Sequence, residues 1–169
     1  CTMVAHVSAV HNHQTHRSTP LETRIAVALG GIFGFQMDVA TLTDEEKALA
    51  ASAVERSKLL WPLLRHGDLY RLADPNLSHL CAWMLVSRDL RFACVTAVLT
   101  HVEANSFLPR LRLRGLDSAM HYHCTGPTDF TARGDFLHEI GIELSMLDRD
   151  ASSAFWTLEA LPEWPSIDP

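Results

Sequence analysis

Residues 4–24 read VAHVSAVHNHQTHRSTPLETR, and this stretch sets the architecture of the first part of the chain. A short apolar segment runs into a polar loop and then meets Pro20, a residue that suits the first position of a helix. The helix is predicted through LETRIAVALGG, residues 21–31, with Gly30 and Gly31 ending it. A strand, a loop and a helix in this order indicate a β-α unit of a parallel sheet.

The same rhythm continues to residue 66. Residues 32–39, IFGFQMDV, are predicted as the next strand, and Thr43 followed by Glu46 predicts a capping box that begins a second helix. Pro62 is expected to kink or restart that helix. Apolar residues recur in it at helical spacing and predict one buried stripe: Ala50, Ala53, Val54, Leu60, Trp61 and Leu64.

After Gly67 the apolar pattern changes to period two, which is typical of an antiparallel sandwich. Residues 90–99 are apolar in both phases and are expected to form a central strand. In residues 110–114, arginines alternate with leucines, so the leucines should face the core and the arginines should face water. The alternative is that the arginines make an inter-subunit contact. The predicted strands are residues 68–73, 79–87, 90–101, 110–116, 120–124, 140–146 and 154–161.

The first half looks incomplete on its own. Two β-α units cannot make a stable open parallel sheet, because both faces and both edges of such a sheet need cover. The first apolar segment also starts at once, without a lead-in turn. The first half is therefore expected to be the tail of a larger α/β domain.

Composition narrows the class of protein. The chain has 169 residues, of which 47% are hydrophobic, so it is expected to be globular rather than disordered or fibrous. A formal net charge of −6 with scattered basic residues argues against nucleic acid as a partner. Apolar runs such as residues 25–35 fall well short of the roughly 20 residues of a spanning helix, so no membrane partner is expected.

The four cysteines are widely spaced and include no CxxC pair, which argues against a zinc or redox site. They predict a reducing compartment and hence a cytoplasmic location. Cys81 and Cys94 lie in apolar segments and are interpreted as small buried hydrophobes.

Polar side chains are concentrated directly after the first strand, where α/β enzymes keep their chemistry. Imidazole, amide and guanidinium groups suit a polyhydroxylated ligand such as a sugar, whose hydroxyls both donate and accept hydrogen bonds. The predicted substrate-binding residues are His6, Asn12, His13, Gln14 and Arg17.

Two other roles for this loop stay open. It can be loop structure without ligand contact, with Arg17 and Arg24 pairing with backbone carbonyls or with Glu22. It can also be a metal site built from His6, His11, His13 and His16, but no matching cysteine or carboxylate pattern lies nearby, and no metal is predicted.

Further candidates are weaker. Asp38 follows the second strand and is interpreted as an acceptor for loop N–H groups rather than as a sugar ligand. Ser8 with a histidine and Asp38 would make a nucleophilic triad, but no GxSxG elbow surrounds Ser8. Tyr122, Trp83 and Trp156 could form a carbohydrate-stacking platform, although core packing explains the two tryptophans better.

Five stretches of the sequence resemble, in order and spacing, motifs in the C-terminal third of microbial α-galactosidases of glycoside hydrolase family 36. MVAHVSAVHNHQTHRSTPLETR resembles the family's MGxHVSxxPNHQTxR and PLxTR, and VALGGIFGFQMDVATLTDEEK resembles its GxFGYELD followed by a helix. HGDLYRL, LPRLRLRGLD and RGDFLHEIGI resemble its GDFYRL, PRLRLKGLD and GDxLMxxGL. The chain departs from the pattern at Val4, His11, Gln36, Met37 and His138.

The resemblance implies an α+β fragment: the last two β-α units of a (β/α)₈ barrel in residues 1–66, then an antiparallel Greek-key β-sandwich domain in residues 67–169. It implies a retaining α-galactosidase that hydrolyses terminal α-D-galactosyl groups of raffinose- and melibiose-type oligosaccharides, needs no cofactor and forms a homo-oligomer. The nucleophile and acid/base aspartates of the family lie on earlier barrel strands, so this chain alone is expected to be inactive.

Two alternatives remain. One is a non-catalytic module whose sandwich binds carbohydrate or another subunit. The other is a stand-alone metal-binding β protein.

Overall fold

A computed structural model describes residues 3–12, 14, 16–103 and 110–162. The first part contains strand β1 (Val4–Ser8), helix α1 (Leu21–Ala28), strand β2 (Ile32–Gln36), a 3₁₀ turn (Val39–Thr41) and helix α2 (Asp44–His66). The second part contains β3 (Asp68–Ala73), α3 (Pro75–Ser78), β4 (Leu80–Val86), β5 (Phe92–Leu99), β6 (His121–Thr125), β7 (Phe130–Arg133), α4 (Gly134–Glu139) and β8 (Ser152–Ala160).

Strands β1 and β2 pair in parallel, with Val4 opposite Ile32 and Ser8 opposite Gln36. Helix α1 makes the crossover between them and packs on β1. The predicted β-α-β-α order of the first part is therefore confirmed.

Helix α2 begins at the predicted capping box. Thr43 Oγ1 accepts from the Glu46 amide at 3.2 Å, and Glu46 Oε2 accepts from the Thr43 amide at 2.9 Å. Pro62 was expected to kink or restart the helix, and the restart was wrong: the helix runs through Pro62 to His66, with Leu60 and Leu63 on either side of the proline both buried. Leu63 also replaces Trp61 in the buried stripe, since 43% of Trp61 is exposed.

The remaining strands form one antiparallel sheet in the order β3-β4-β5-β8-β6-β7. Strand β8 returns between β5 and β6, so these two consecutive strands are not neighbours. Strand β5 is central, and residues 93–99 are buried, as their apolar pattern predicted.

The predicted pair of packed sheets does not form within the described ranges. Residues 110–116 and 140–146 were predicted as strands, yet they meet only at an isolated bridge between Leu111 and Ile142. Their alternation still marks burial: Leu111 and Leu113 are buried, and Arg110, Arg112 and Arg114 are exposed. These segments cover one face of the six-stranded sheet as an irregular layer together with α4, and their buried residues join Met84, Val95 and Trp156 of the sheet in one core.

Helices α1 and α2 cover the other face. Leu21 and Ile25 of α1, Leu60 of α2, and Leu85 and Cys94 of the sheet share a second core. The helices therefore lie between the parallel pair and the antiparallel sheet. No helix in the described part of the chain combines the length and the apolar character needed to cross a membrane.

Candidate functional site

The parallel pair brings two loops to one edge. Because β1 and β2 run in the same direction and Ser8 lies opposite Gln36, the loop after β1 and the turn after β2 leave from the same end of the pair. Active sites on parallel α/β scaffolds lie at this carboxyl end. This edge is the candidate site.

One face of the pair is bare. Val7 is fully buried with α1 in the second core, whereas Val4, His6 and Ser8, which alternate with it, are exposed. On β2, Ile32 is 38% exposed and pairs with Val4 of β1. The bare face carries exposed apolar side chains, among them Val4 at 73% exposure. Such a surface is typical of one that packs against other residues.

The described residues of the loop after β1 pair as the two arms of a hairpin. The amide of Asn12 donates to the Arg17 carbonyl at 2.9 Å, and the amide of Thr19 donates to the Val10 carbonyl at 3.3 Å. His11 and Ser18 form an isolated antiparallel bridge, and His11 Nδ1 lies 3.3 Å from Ser18 Oγ. These pairs join residues 10–12 to residues 17–19.

The hairpin brings three of the five predicted substrate-binding residues together. Asn12 Oδ1 accepts from the amide of Gln14 at 2.9 Å. The side chains of Gln14 and Arg17 are exposed beside it. His6 lies apart from them, on the bare face of β1. His13, the fifth residue, lies outside the described residues.

Arg24 of α1 reaches back to this hairpin and donates to backbone carbonyls, among them that of Thr19 at 3.0 Å from Nε. Burial lowers the pKa of Arg24 from its ordinary value. Pairing with backbone carbonyls was one of the roles considered for this residue, and it is the role that the structure shows.

Asp38 has a structural role. Its Oδ1 accepts from the Ala40 amide at 2.9 Å and its carbonyl accepts from Thr41 Oγ1 at 2.7 Å, so it caps the 3₁₀ turn after β2. This is the interpretation that the sequence favoured.

The aromatic candidates do not form an exposed platform. Trp156 and Tyr122 are fully buried, and the Tyr122 hydroxyl donates to the Leu90 carbonyl at 2.7 Å and accepts from the Asp117 amide at 2.9 Å. Trp83 is half-buried, and its indole packs over Gly30, where a Cβ would lie 3.0 Å from Nε1.

Among the described residues, no group of three or more histidine, cysteine or acidic side chains could hold a metal ion. Cys81, Cys94 and Cys124 are free thiols. Burial raises the pKa of Cys94 and that of Cys124 to about 12 in each case, so both stay protonated at neutral pH.

Sequence reasoning missed an apolar groove at the opposite end of the parallel pair. It encloses about 1090 Å³ between the ends of α1 and α2 and strands β3 and β4. Its lining includes Met3, Ile32, Trp61, Leu69 and Trp83. The helical pattern assigned Trp61 to the core, but its side chain is exposed and lines this groove.

Two protein-family models match the chain. The Melibiase model matches residues 1–67, and the Glycosyl hydrolase family 36 C-terminal domain model matches residues 80–158.

Known relatives are α-galactosidases as well. Alpha-galactosidase AgaA of Geobacillus stearothermophilus is 39% identical over 161 residues, which is 95% of this chain and 22% of the relative. The bifunctional alpha-galactosidase/sucrose kinase AgaSK of Mediterraneibacter gnavus is 42% identical over 114 residues, which is 68% of this chain and 12% of the relative. The chain thus spans about a fifth or less of the length of these two relatives.

Solved structures show the same arrangement. The galactosidase domain of AgaSK superposes with a TM-score of 0.87 at 34% identity, over 94% of this chain and 22% of that chain. A variant of AgaA from Geobacillus stearothermophilus in complex with raffinose superposes with a TM-score of 0.86 at 39% identity, over 93% of this chain and 22% of that chain. These matches place the chain among the glycoside hydrolases. It belongs to glycoside hydrolase family 36.

Proposed function

We propose that the natural protein containing this sequence is a retaining α-galactosidase that removes terminal α-D-galactosyl groups from oligosaccharides of the raffinose and melibiose type. In this proposal β1 and β2 are the last two strands of a (β/α)₈ barrel, and the bare face of the pair is part of the barrel interior. The six-stranded sheet then supports the barrel from outside, by packing against α1 and α2.

The observation that carries the proposal is the parallel pair itself. Its helix-covered face is buried, its other face is bare, and a polar hairpin stands at its carboxyl end, which is the arrangement of two neighbouring strands in a barrel enzyme. The pair lies within the residues that the Melibiase model matches. Relatives crystallised with raffinose and with stachyose support the substrate class.

Retention requires two carboxyl groups roughly 5 Å apart, one as nucleophile and one as acid/base. Asp38 is committed to capping the turn after β2, so it does not suit either role. We place the catalytic pair on barrel strands outside these 169 residues, and the part of this chain is to bind and orient the sugar.

The assay is direct. The natural protein should release galactose from an aryl α-D-galactoside and from raffinose but leave the matching β-galactoside intact, and proton NMR should detect α-galactose as the first product. The 169-residue chain alone should release none. An inactive natural protein, β-galactose as the first product, or turnover by the isolated chain would each contradict the proposal.

The hairpin tip is proposed to contact the sugar. Arg17→Ala in the natural protein should lower kcat/KM for the α-galactoside by more than tenfold, because a hydrogen bond from a charged donor is worth about 1.5–3 kcal/mol. Arg88→Ala, which removes an exposed arginine from the turn between β4 and β5, is the matched control and should leave kcat/KM unchanged. Equal effects of the two substitutions would leave the tip without a role in binding. Cytoplasmic location and homo-oligomeric assembly stay predictions.

A further inference from the structure

All three guanidinium nitrogens of Arg24 donate to the hairpin that follows β1. Nε donates to the Thr19 carbonyl at 3.0 Å. Nη1 donates to the carbonyls of Ser8 and Ala9, and Nη2 donates to the carbonyl of Val10. One side chain thus contacts both ends of the hairpin, at the point where it leaves the strand and where it enters the helix.

These contacts lie at the base of the hairpin. The β1–β2 register ends at Ser8, and the backbone pair between Thr19 and Val10 is long, at 3.3 Å. A planar guanidinium presents five N–H donors in a fixed fork and can serve several carbonyls at once, which a lysine ammonium on its flexible stem cannot reproduce.

Arg24 stands on a fixed helix. Leu21 and Ile25 of α1 are buried in the second core, and Thr23 Oγ1 donates to the Ala151 carbonyl at 2.6 Å, in the turn before β8. These contacts hold α1, and with it Arg24, against the six-stranded sheet.

We propose that Arg24 is a positioning residue: it fixes the base of the hairpin, whose described residues are 9–12, 14 and 16–19, and thereby presents Asn12, Gln14 and Arg17 to the sugar. The inference rests on the proposed function and adds a residue that does not itself contact substrate, because its three nitrogens are engaged with the backbone. The partial burial that lowers its pKa is consistent with this inward orientation.

The kinetic consequence is specific. When the binding-competent conformation is populated to a fraction f, the apparent dissociation constant rises to the intrinsic constant divided by f. Loosening the hairpin should therefore raise KM, while kcat, measured with the sugar bound and the hairpin in place, should change little. A purely structural role would lower the melting temperature without moving KM.

The test compares Arg24→Gln and Arg24→Lys with the parent in the natural protein. We expect KM for an aryl α-galactoside to rise more than fivefold in both variants while kcat stays within threefold. The control is Arg56→Gln, since the Arg56 guanidinium on α2 lies over the Phe155 ring of β8, at 5.4 Å from its centroid. It should leave KM unchanged. If the Gln variant does not fold, the Lys variant, which keeps the charge, decides.

A second measurement does not depend on activity. Arg17 lies within the hairpin, so the rate of tryptic cleavage after Arg17, followed by mass spectrometry, reports how firmly the hairpin is held. This rate should rise more than fivefold in the Arg24 variants and stay at the parent value in Arg56→Gln.

The two proposals fail separately. With an active parent, a KM within twofold of the parent value in both Arg24 variants overturns the inference and leaves the proposed function standing. A parent inactive on α-galactosides removes the proposed function and the sugar-presenting part of the inference together. The cleavage rate then decides whether Arg24 fixes the hairpin, and an unchanged rate overturns that too.

Discussion

Neighbouring leucines of α2 have opposite environments. Leu60 is 1% exposed, in the core that joins the helices to the sheet, whereas Leu59 is 74% exposed. Leu60→Ala should destabilise the fold by about 2–5 kcal/mol, because it removes buried methyl groups and leaves a cavity. Leu59→Ala should cost less than about 0.5 kcal/mol. Thermal unfolding of the two variants measures the difference, and equal melting temperatures would contradict the placement of the helix on the sheet.

The cysteines should differ in reactivity because the thiolate is the nucleophile. Burial raises the pKa of Cys94 and of Cys124 to about 12, while Cys81 is partly exposed beside the groove and its pKa is raised by burial and by Asp74. Raising the pH from about 7 to about 9 should therefore speed the alkylation of Cys81 by iodoacetamide but leave Cys94 and Cys124 unlabelled. Peptide mass spectrometry gives the site of labelling. Labelling of all three at similar rates would show that the two cores are open, and urea supplies the positive control.

Single residues were predictable where the pattern is local. The burial of Trp156 follows from its apolar neighbours at period two. The role of Asp38 follows from its position two residues before Ala40, whose amide donates to its carboxylate. The sequence allowed backbone carbonyls as partners of Arg24 but could not identify them, and it did not predict the partners of Tyr122, because these groups lie up to 16 and 32 residues away along the chain. Only the folded positions of the loops bring such groups together.

The start of α2 depends on reciprocal capping. Thr43 and Glu46 each accept from the backbone amide of the other. Thr43→Ala should cost about 1 kcal/mol, because it leaves a donor at the helix start without its side-chain partner. Ser52→Ala is the control: Ser52 is exposed inside the same helix, and alanine has the higher helix propensity. Thermal unfolding should show a lower melting temperature for the first variant only, and a loss in both would point to a cause other than the cap.

The period-two pattern predicts which side of an extended segment is buried, but it does not predict a pairing partner. Residues 68–73 form β3 although they do not alternate strictly, whereas residues 110–114 alternate strictly and form only a bridge at Leu111. Strand β7, Phe130–Arg133, was missed because four residues with two polar side chains give little pattern. Burial could thus be predicted from the sequence more reliably than backbone pairing.

The order of layers could not be predicted from the pattern. Because β5 is apolar on both faces, the sequence predicts that a layer packs against each face of the sheet, but it does not identify the two layers. In the fold one cover is the pair of helices α1 and α2, and the other is the irregular layer that contains Leu113 and Leu144. A core shared by the helices and the sheet also makes the two predicted domains dependent on each other, while the boundary between residues 66 and 67 stays a prediction.

The central claim is that β1 and β2 are two neighbouring strands of a closed barrel. A crystal structure of the natural protein with bound galactose tests it most directly. We predict a further parallel strand along the open edge of residues 4–8, another along the open edge of residues 32–36, and the sugar beside the hairpin at the carboxyl end of the pair. Open edges, a bare face left to solvent, or galactose bound elsewhere would contradict the account.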